Sequence, residues 1–394
     1  MTQRILYAWL SLWLLSCSPL AYSEQAIRFA YTFESQSIGA LIDEFSASSG
    51  IKVQRYWQNQ DDIKVSMVES IEKGNPPDVV LIPADHLGLY RIMGFSAIPE
   101  TLQQSTNLSE AVWNTARVNG TVYGAPVMQG NHLMLFYNKA LVQQPAQTWA
   151  QLQAQQPALH QAGVNAIGWD YGQVYYLLPF LSAMGGQPMT DNRLTLDSRM
   201  MVNALAAYRS LRDQGLVDES CGYDCSFARF KAGEMAYTIN GDWVLRELMT
   251  QLGDKLGIAM LPAWQDKALK PMYSTHVLAF PNQGLSKAKQ ADLLQLLRFM
   301  QSPAVQQRLW QELKVFPVES QAFADAKTSM APEHAVIFEQ LLAAAPLPVE
   351  PAMTYAWGSM TKGLERYLNG VMSAEDAARL MQRLTERELA KDGI

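Results

Sequence analysis

The feature that most constrains this chain is its alternation of short, continuously apolar runs with amphipathic stretches. Ile27 to Tyr31 reads as a strand, and the segment after it places Ile38, Leu41, Ile42 and Phe45 at the i, i+3, i+4, i+7 spacing of one buried helix face, ending at Gly50. A second strand, Ile51 to Tyr56, leads to an amphipathic stretch through Ile63, Met67, Val68 and Ile71, and then to the run Asp78 to Ile82. Apolar residues in unbroken succession imply strands covered on both faces, which means a largely parallel sheet flanked by helices. The fold class is therefore α/β.

The pattern restarts after Pro126. Leu133 to Tyr137 reads as a strand, Thr148 begins a helix, and Gly163 to Trp169 carries a short strand into a helix over about 174–184. Helices at Ser198 to Arg212 and Ser226 to Lys231, with strands at Met235 to Ile239 and Gly257 to Leu261, extend this second unit. His276 to Phe280 and the helix Lys287 to Met300 fit either unit, and the prolines of Ala345 to Pro351 mark a loop. No low-complexity linker separates the units. Two lobes joined by short strand-like crossings account for that better than two beads on a string, and their facing sheets would enclose a cleft.

At 394 residues, with 48% apolar and 17% charged residues, the chain can fill two such cores. A net charge of -6, without a run of Lys or Arg, excludes the electrostatic footprint of a nucleic-acid binder. At the N-terminus, Arg4, the apolar run Ile5 to Leu15 and the site Ala21-Tyr22-Ser23 read as an export signal, residues 1–23, removed on secretion to the periplasm. Leu14-Leu15-Ser16-Cys17 also resembles the lipobox of bacterial lipoproteins, which would leave the protein anchored through Cys17. Both versions are exported. Cleavage after Ser23 leaves an even pair, Cys221 and Cys225, which an oxidising compartment would join as a local disulfide; zinc, the competing reading, lacks two further ligands nearby.

Several motifs recur in a familiar order: Pro77-Asp78-Val79-Val80-Leu81-Ile82-Pro83-Ala84-Asp85-His86, then Pro126 through Tyr137-Asn138-Lys139, then Thr148-Trp149, then Gly233 through Asn240-Gly241-Asp242-Trp243. Together they resemble the maltose-binding-protein-like family 1 extracellular solute-binding proteins over essentially the whole mature chain. The resemblance implies a two-lobed periplasmic binding protein fold of type II with an inter-lobe ligand cleft. It implies lobes of 24–128 plus 275–318 and of 129–274 plus 319–394, and a monomeric receptor that delivers a sugar or oligosaccharide to the membrane permease of an ABC importer. Neither a cofactor nor a catalytic residue is implied.

Sugar recognition needs flat apolar surfaces for pyranose C–H faces beside hydrogen-bonding groups for hydroxyls. By the resemblance, Trp243 and Trp357 match stacking tryptophans and Tyr175 a tyrosine packed under the sugar. Gln173 stands where the family has an acidic ligand residue, and Asn131 lies near another. Asp85 matches an aspartate that accepts sugar hydroxyls, although a carboxylate after a buried strand can equally cap the next helix. His86 replaces an arginine, and Glu34 falls in the first strand-to-helix loop, where polar groups face the cleft. These departures leave the sugar open.

Three rivals come from other readings. A glycoside-acting enzyme would need paired carboxylates; no nucleophile elbow, P-loop, dinucleotide fingerprint or H-E-x-x-H pair is present, and the five histidines lack metal-ligand spacing. A ferric-ion site could use the adjacent Tyr175 and Tyr176. A phosphorylated polyol such as glycerol phosphate would call for Arg or Lys in the cleft, and a polyamine for several acids.

Overall fold

A computed structural model describes residues 26–33, 36–59, 62–332, 334–391 and 393. Residues 1–23, Cys17 and Glu34 lie outside the described residues.

Two sheets organise the chain. The first runs Ala345–Pro346, Met272–Ala279, Val79–Pro83, Ile27–Tyr31, Val53–Trp57, with Gly124–Gly130 also paired to Met272–Ala279. Ile27–Tyr31 is parallel to both of its neighbours, as the unbroken apolar runs require. Val79–Pro83 is buried along its whole length, whereas the edge strand Val53–Trp57 exposes most of its residues. Helix Gln36–Ser49 buries Ile38, Leu41, Ile42 and Phe45, the four positions its spacing predicts.

The second sheet runs Leu256–Ala259, Leu133–Asn138, Met235–Gly241, Asn165–Gly168. It is mixed: Met235–Gly241 is antiparallel to Leu133–Asn138 and parallel to Asn165–Gly168. Strand alternation sends Leu133 and Leu135 into one apolar cluster and Met134 and Phe136 into another, so both faces of this sheet are covered. A third cluster, from Ile27 to Val349, fills the first unit.

The chain crosses between units at places where these clusters change hands. Gly130 ends a strand of the first sheet and Leu133 begins one of the second. Met272 belongs to the second unit's core, whereas Val277 of the same strand belongs to the first. Helix Pro303–Leu313 gives Leu309 and Leu313 to the first core and Trp310 to the second sheet's outer face.

Some elements differ from the sequence expectation. The helix expected over 174–184 is a 3₁₀ turn, Val174–Tyr176, followed by helix Leu178–Ala183, because Pro179 lacks an N–H and fits only a first helical turn. Met272–Ala279 settles the doubtful strand in the first sheet. The proline-rich segment is not wholly loop: Ala345–Pro346 pairs with Met272 and Tyr273, and Pro351 opens helix Pro351–Leu368. Cys221 and Cys225 are joined as a disulfide. Among the described residues, no helix is long and apolar enough to cross a membrane.

Candidate functional site: a cleft between two sheets

A cavity of about 980 Å³ lies between the units. Its walls come from corresponding places on the two sheets. On the first, Thr32 and Phe33 follow Ile27–Tyr31, and Asp85 and His86 follow Val79–Pro83; on the second, Gln173 and Tyr175 follow Asn165–Gly168, and Trp243 follows Met235–Gly241. These are the carboxyl ends of parallel strands, where open α/β sheets leave room for ligands. The structure thus gathers seven predicted residues, Trp243, Trp357, Tyr175, Asp85, Gln173, Asn131 and His86, around one space. The eighth, Glu34, is not described.

Asp85 does not cap a helix. Its carboxylate accepts the indole N–H of Trp357 at 3.1 Å, and its main-chain carbonyl accepts the Thr354 hydroxyl at 3.0 Å. A turn of the first unit is thereby tied to helix Pro351–Leu368. Trp357 also leans on Tyr175, ring centroids 6.1 Å apart and planes at 50°.

The Tyr175 hydroxyl sits between the main-chain carbonyls of Asn131 and Met272, 3.1 Å from the latter. Burial, reinforced by the carboxylates of Asp242 and Asp85, pushes this phenol's pKa up, so it stays a neutral donor. Tyr176, the neighbour needed for a two-tyrosine iron site, is buried in the second unit's core. Among the described residues no cluster of His, Cys, Asp or Glu could hold a metal ion.

Next to Tyr175, the crossing between the sheets is built around Asp242. Its carboxylate accepts the Asn131 N–H at 3.1 Å and lies 3.5 Å from His132 Nδ1. Gly130 has a φ of +128°, and a Cβ there would fall 1.9 Å from the Asp242 carboxylate, so only glycine serves. Asp242 stands beside Trp243 in the Asn240-Gly241-Asp242-Trp243 run, yet its part in the crossing had no sequence signal.

Other lining residues escaped the sequence reading. Tyr223 accepts the Trp243 indole N–H at 3.0 Å. Lys231 is 2.6 Å from Glu247 and lies over the Phe227 ring, 4.3 Å from its centroid. His276 packs edge-on to Phe33, and burial lowers its pKa to about 4, leaving the imidazole neutral near pH 7 despite Asp242 and Asp85. The Cys221–Cys225 bridge was the available clue to Tyr223 and Asp224, because it fixes the residues it encloses.

The charge balance is informative. Among the described residues, Asp85, Asp224 and Glu247 line the cavity, the single lining lysine, Lys231, is paired, and no arginine lines it. An anion finds no uncompensated cation there, whereas indole, phenol, amide and carboxylate groups suit a neutral molecule rich in hydroxyls.

Two α/β units enclosing a polar and aromatic cleft define a two-lobed ligand-binding protein. The chain belongs to the bacterial extracellular solute-binding proteins, whose family model matches residues 40–336. It is similar to the maltooligosaccharide ABC transporter solute-binding lipoproteins of Streptococcus pneumoniae serotype 4 (strain TIGR4) and of strain R6. Each is 22% identical over 322 residues, covering 78% of this chain and 75% of the relative. Among solved structures, the maltose/maltodextrin-binding domain MalE from Bdellovibrio bacteriovorus, bound to maltotriose, matches with a TM-score of 0.82 at 22% identity. The match covers 93% of this chain and 100% of that one. The fold is the two-lobed, maltose-binding-protein-like α/β architecture that the sequence resemblance implied.

Proposed function

We propose that this protein is the periplasmic, non-enzymatic receptor of an ABC importer and binds a neutral sugar or oligosaccharide between its lobes. The observation that carries the reading is the pair of indoles, Trp243 and Trp357, lining one cavity with Asp85, Asn131, Gln173, Tyr175 and His86 and with no unpaired cation among the lining residues. Indoles would stack on pyranose faces, and the polar groups would meet hydroxyls. The names of the relatives and of the structural neighbour point the same way and favour a malto-oligosaccharide.

The lobes in this reading are 24–128 with 275–318 and 129–274 with 319–394. The exchange of core membership between Met128 and Leu133, and between Met272 and Val277, supports those limits. A ligand touching both walls has a higher affinity for the closed arrangement and so shifts the lobes toward it. Closure then presents the loaded receptor, as a monomer, to its permease. Export rests on residues 1–23, with a lipid anchor through Cys17 as the variant.

Other ligands fit less well. Glycerol phosphate would meet Lys231 already engaged by Glu247, and ferric ion would find two lining tyrosines, Tyr175 and Tyr223, whose phenols burial holds neutral. Glycoside hydrolysis would need two available carboxylates, but Asp85 is bonded to Trp357 and Glu247 to Lys231.

A thermal-shift screen separates these readings, because a ligand that binds only the folded state raises its melting temperature. A rise with neutral oligosaccharides, without shortened sugars on prolonged incubation, supports the proposal. A rise confined to glycerol phosphate, spermidine or ferric citrate, or the release of shortened sugars, overturns it.

A further inference from the structure

We propose that the Cys221–Cys225 disulfide and Tyr223 form a positioning device that fixes the plane in which the Trp243 indole meets a sugar. The inference rests on the sugar-binding reading above and assigns a role to the bridge and to Tyr223.

A closed circuit of hydrogen bonds surrounds Trp243. Its indole N–H, which can only donate, donates to the Tyr223 hydroxyl at 3.0 Å. That hydroxyl donates onward to Asn240 Oδ1 at 3.4 Å, and the same oxygen accepts the Gly241 N–H at 2.8 Å. The circuit ends beneath the ring it began with, since the six-membered ring of Trp243 lies on Gly241, where a Cβ would come within 1.9–2.2 Å of it. Burial pushes the Tyr223 phenol pKa up, so the hydroxyl keeps the proton it passes to Asn240. With one side of the ring on Gly241 and its N–H edge pinned, the exposed 37% of Trp243 is what lines the cavity.

The weak point of such a device is Tyr223 itself. It is the first residue of helix Tyr223–Ala232, and the capping position is Gly222, which makes no side-chain cap bond. A first turn with unsatisfied N–H groups and no cap is prone to fray. The disulfide closes that turn covalently, from Cys221 before the helix to Cys225 within it, with Tyr223 midway between them. Cys221 is buried, so the bridge anchors the turn to the body of the second lobe. The bridge holds the tyrosine, and the tyrosine holds the indole.

The test is a double-mutant cycle by calorimetric titration of the full mature chain with maltotriose, with thermal melting of every variant. Tyr223→Phe removes one oxygen and is expected to weaken binding about 2- to 12-fold, the range of one net hydrogen bond. Cys221→Ser combined with Cys225→Ser is expected to weaken it similarly. Trp243→Phe keeps an aromatic face but has no N–H to pin, so in that background both sets of substitutions are expected to change affinity less than about 2-fold. Wild-type affinity in Tyr223→Phe, or an equal loss with and without the Trp243 N–H, overturns the positioning role. If the cysteine pair fails to fold, the Tyr223→Phe cycle still decides. Absence of maltotriose binding by the wild type is a distinct outcome that removes this inference along with its premise.

Discussion

Replacing Tyr175 by Phe isolates one oxygen on which two of the inter-lobe crossings converge. The hydroxyl sits between the carbonyls of Asn131, on the crossing from Gly130 to Leu133, and of Met272, at the start of the strand that returns to the first sheet. It has one proton to share, so its loss removes about one hydrogen bond, worth roughly 0.5–1.5 kcal/mol net, and leaves partly buried carbonyls short of a donor. The expected cost is about 1–2 kcal/mol. For lobes of this size that corresponds to a melting temperature lower by about 2–8 °C. Because burial pushes the phenol's pKa up, the deficit is expected to be the same at pH 6 and pH 9. The ring and its lean on Trp357 remain, so sugar affinity is expected to fall less than about 10-fold, a loss of under about 1.4 kcal/mol. Thermal unfolding followed by circular dichroism, without ligand, reads the first effect, and titration reads the second. A variant that melts within about 1 °C of the wild type would show that the hydroxyl does not clasp the crossings.

Further predictions address other parts of the site. Gly130→Ala places a methyl group 1.9 Å from the Asp242 carboxylate at a φ of +128°, and is expected to destabilise the protein by about 1–3 kcal/mol in chemical denaturation; unchanged stability would mean that the crossing adapts freely. His276 has a folded-state pKa lowered to about 4 from an ordinary 6.5, so as pH falls through this window the unfolded chain takes up a proton before the folded one does. Stability is therefore lost between about pH 6.5 and pH 4, by up to about 1.4 kcal/mol per unit, and His276→Gln is expected to flatten that part of the profile; parallel profiles would refute it. Glu247→Gln frees Lys231, the one lining lysine, and is expected to let glycerol phosphate raise the melting temperature where the wild type does not respond. If both proteins stay silent, ion pairing is not what excludes anions.

How much of this was legible in the sequence depended on whether the signal was local. The unbroken run Val79 to Ile82 and the spacing of Ile38, Leu41, Ile42 and Phe45 report burial directly, and these elements lie where they were expected. The tryptophans show the limit. Trp113, Trp149, Trp169 and Trp310 are buried, Trp57 is exposed, and among the described residues only Trp243 and Trp357 line the cavity, yet all are chemically the same residue. Register with a known family distinguished them; residue type did not. The Asp242 hub, the Lys231–Glu247 pair and the Tyr223 contact join residues from separate elements or across turns, and a linear pattern carries no trace of them. The break between Val174–Tyr176 and Leu178–Ala183 was missed because apolar spacing continues through it, while Pro179 marks it.

The most direct test of a neutral sugar held between opposed aromatic walls is calorimetric titration of the wild type, Trp243→Ala and Trp357→Ala with maltotriose. Saturable one-to-one binding by the wild type is predicted, with a loss of about 1–4 kcal/mol in each variant, the scale of a central aromatic anchor. A wild type that ignores maltotriose and the longer malto-oligosaccharides, or variants that bind as tightly as it does, would contradict the account.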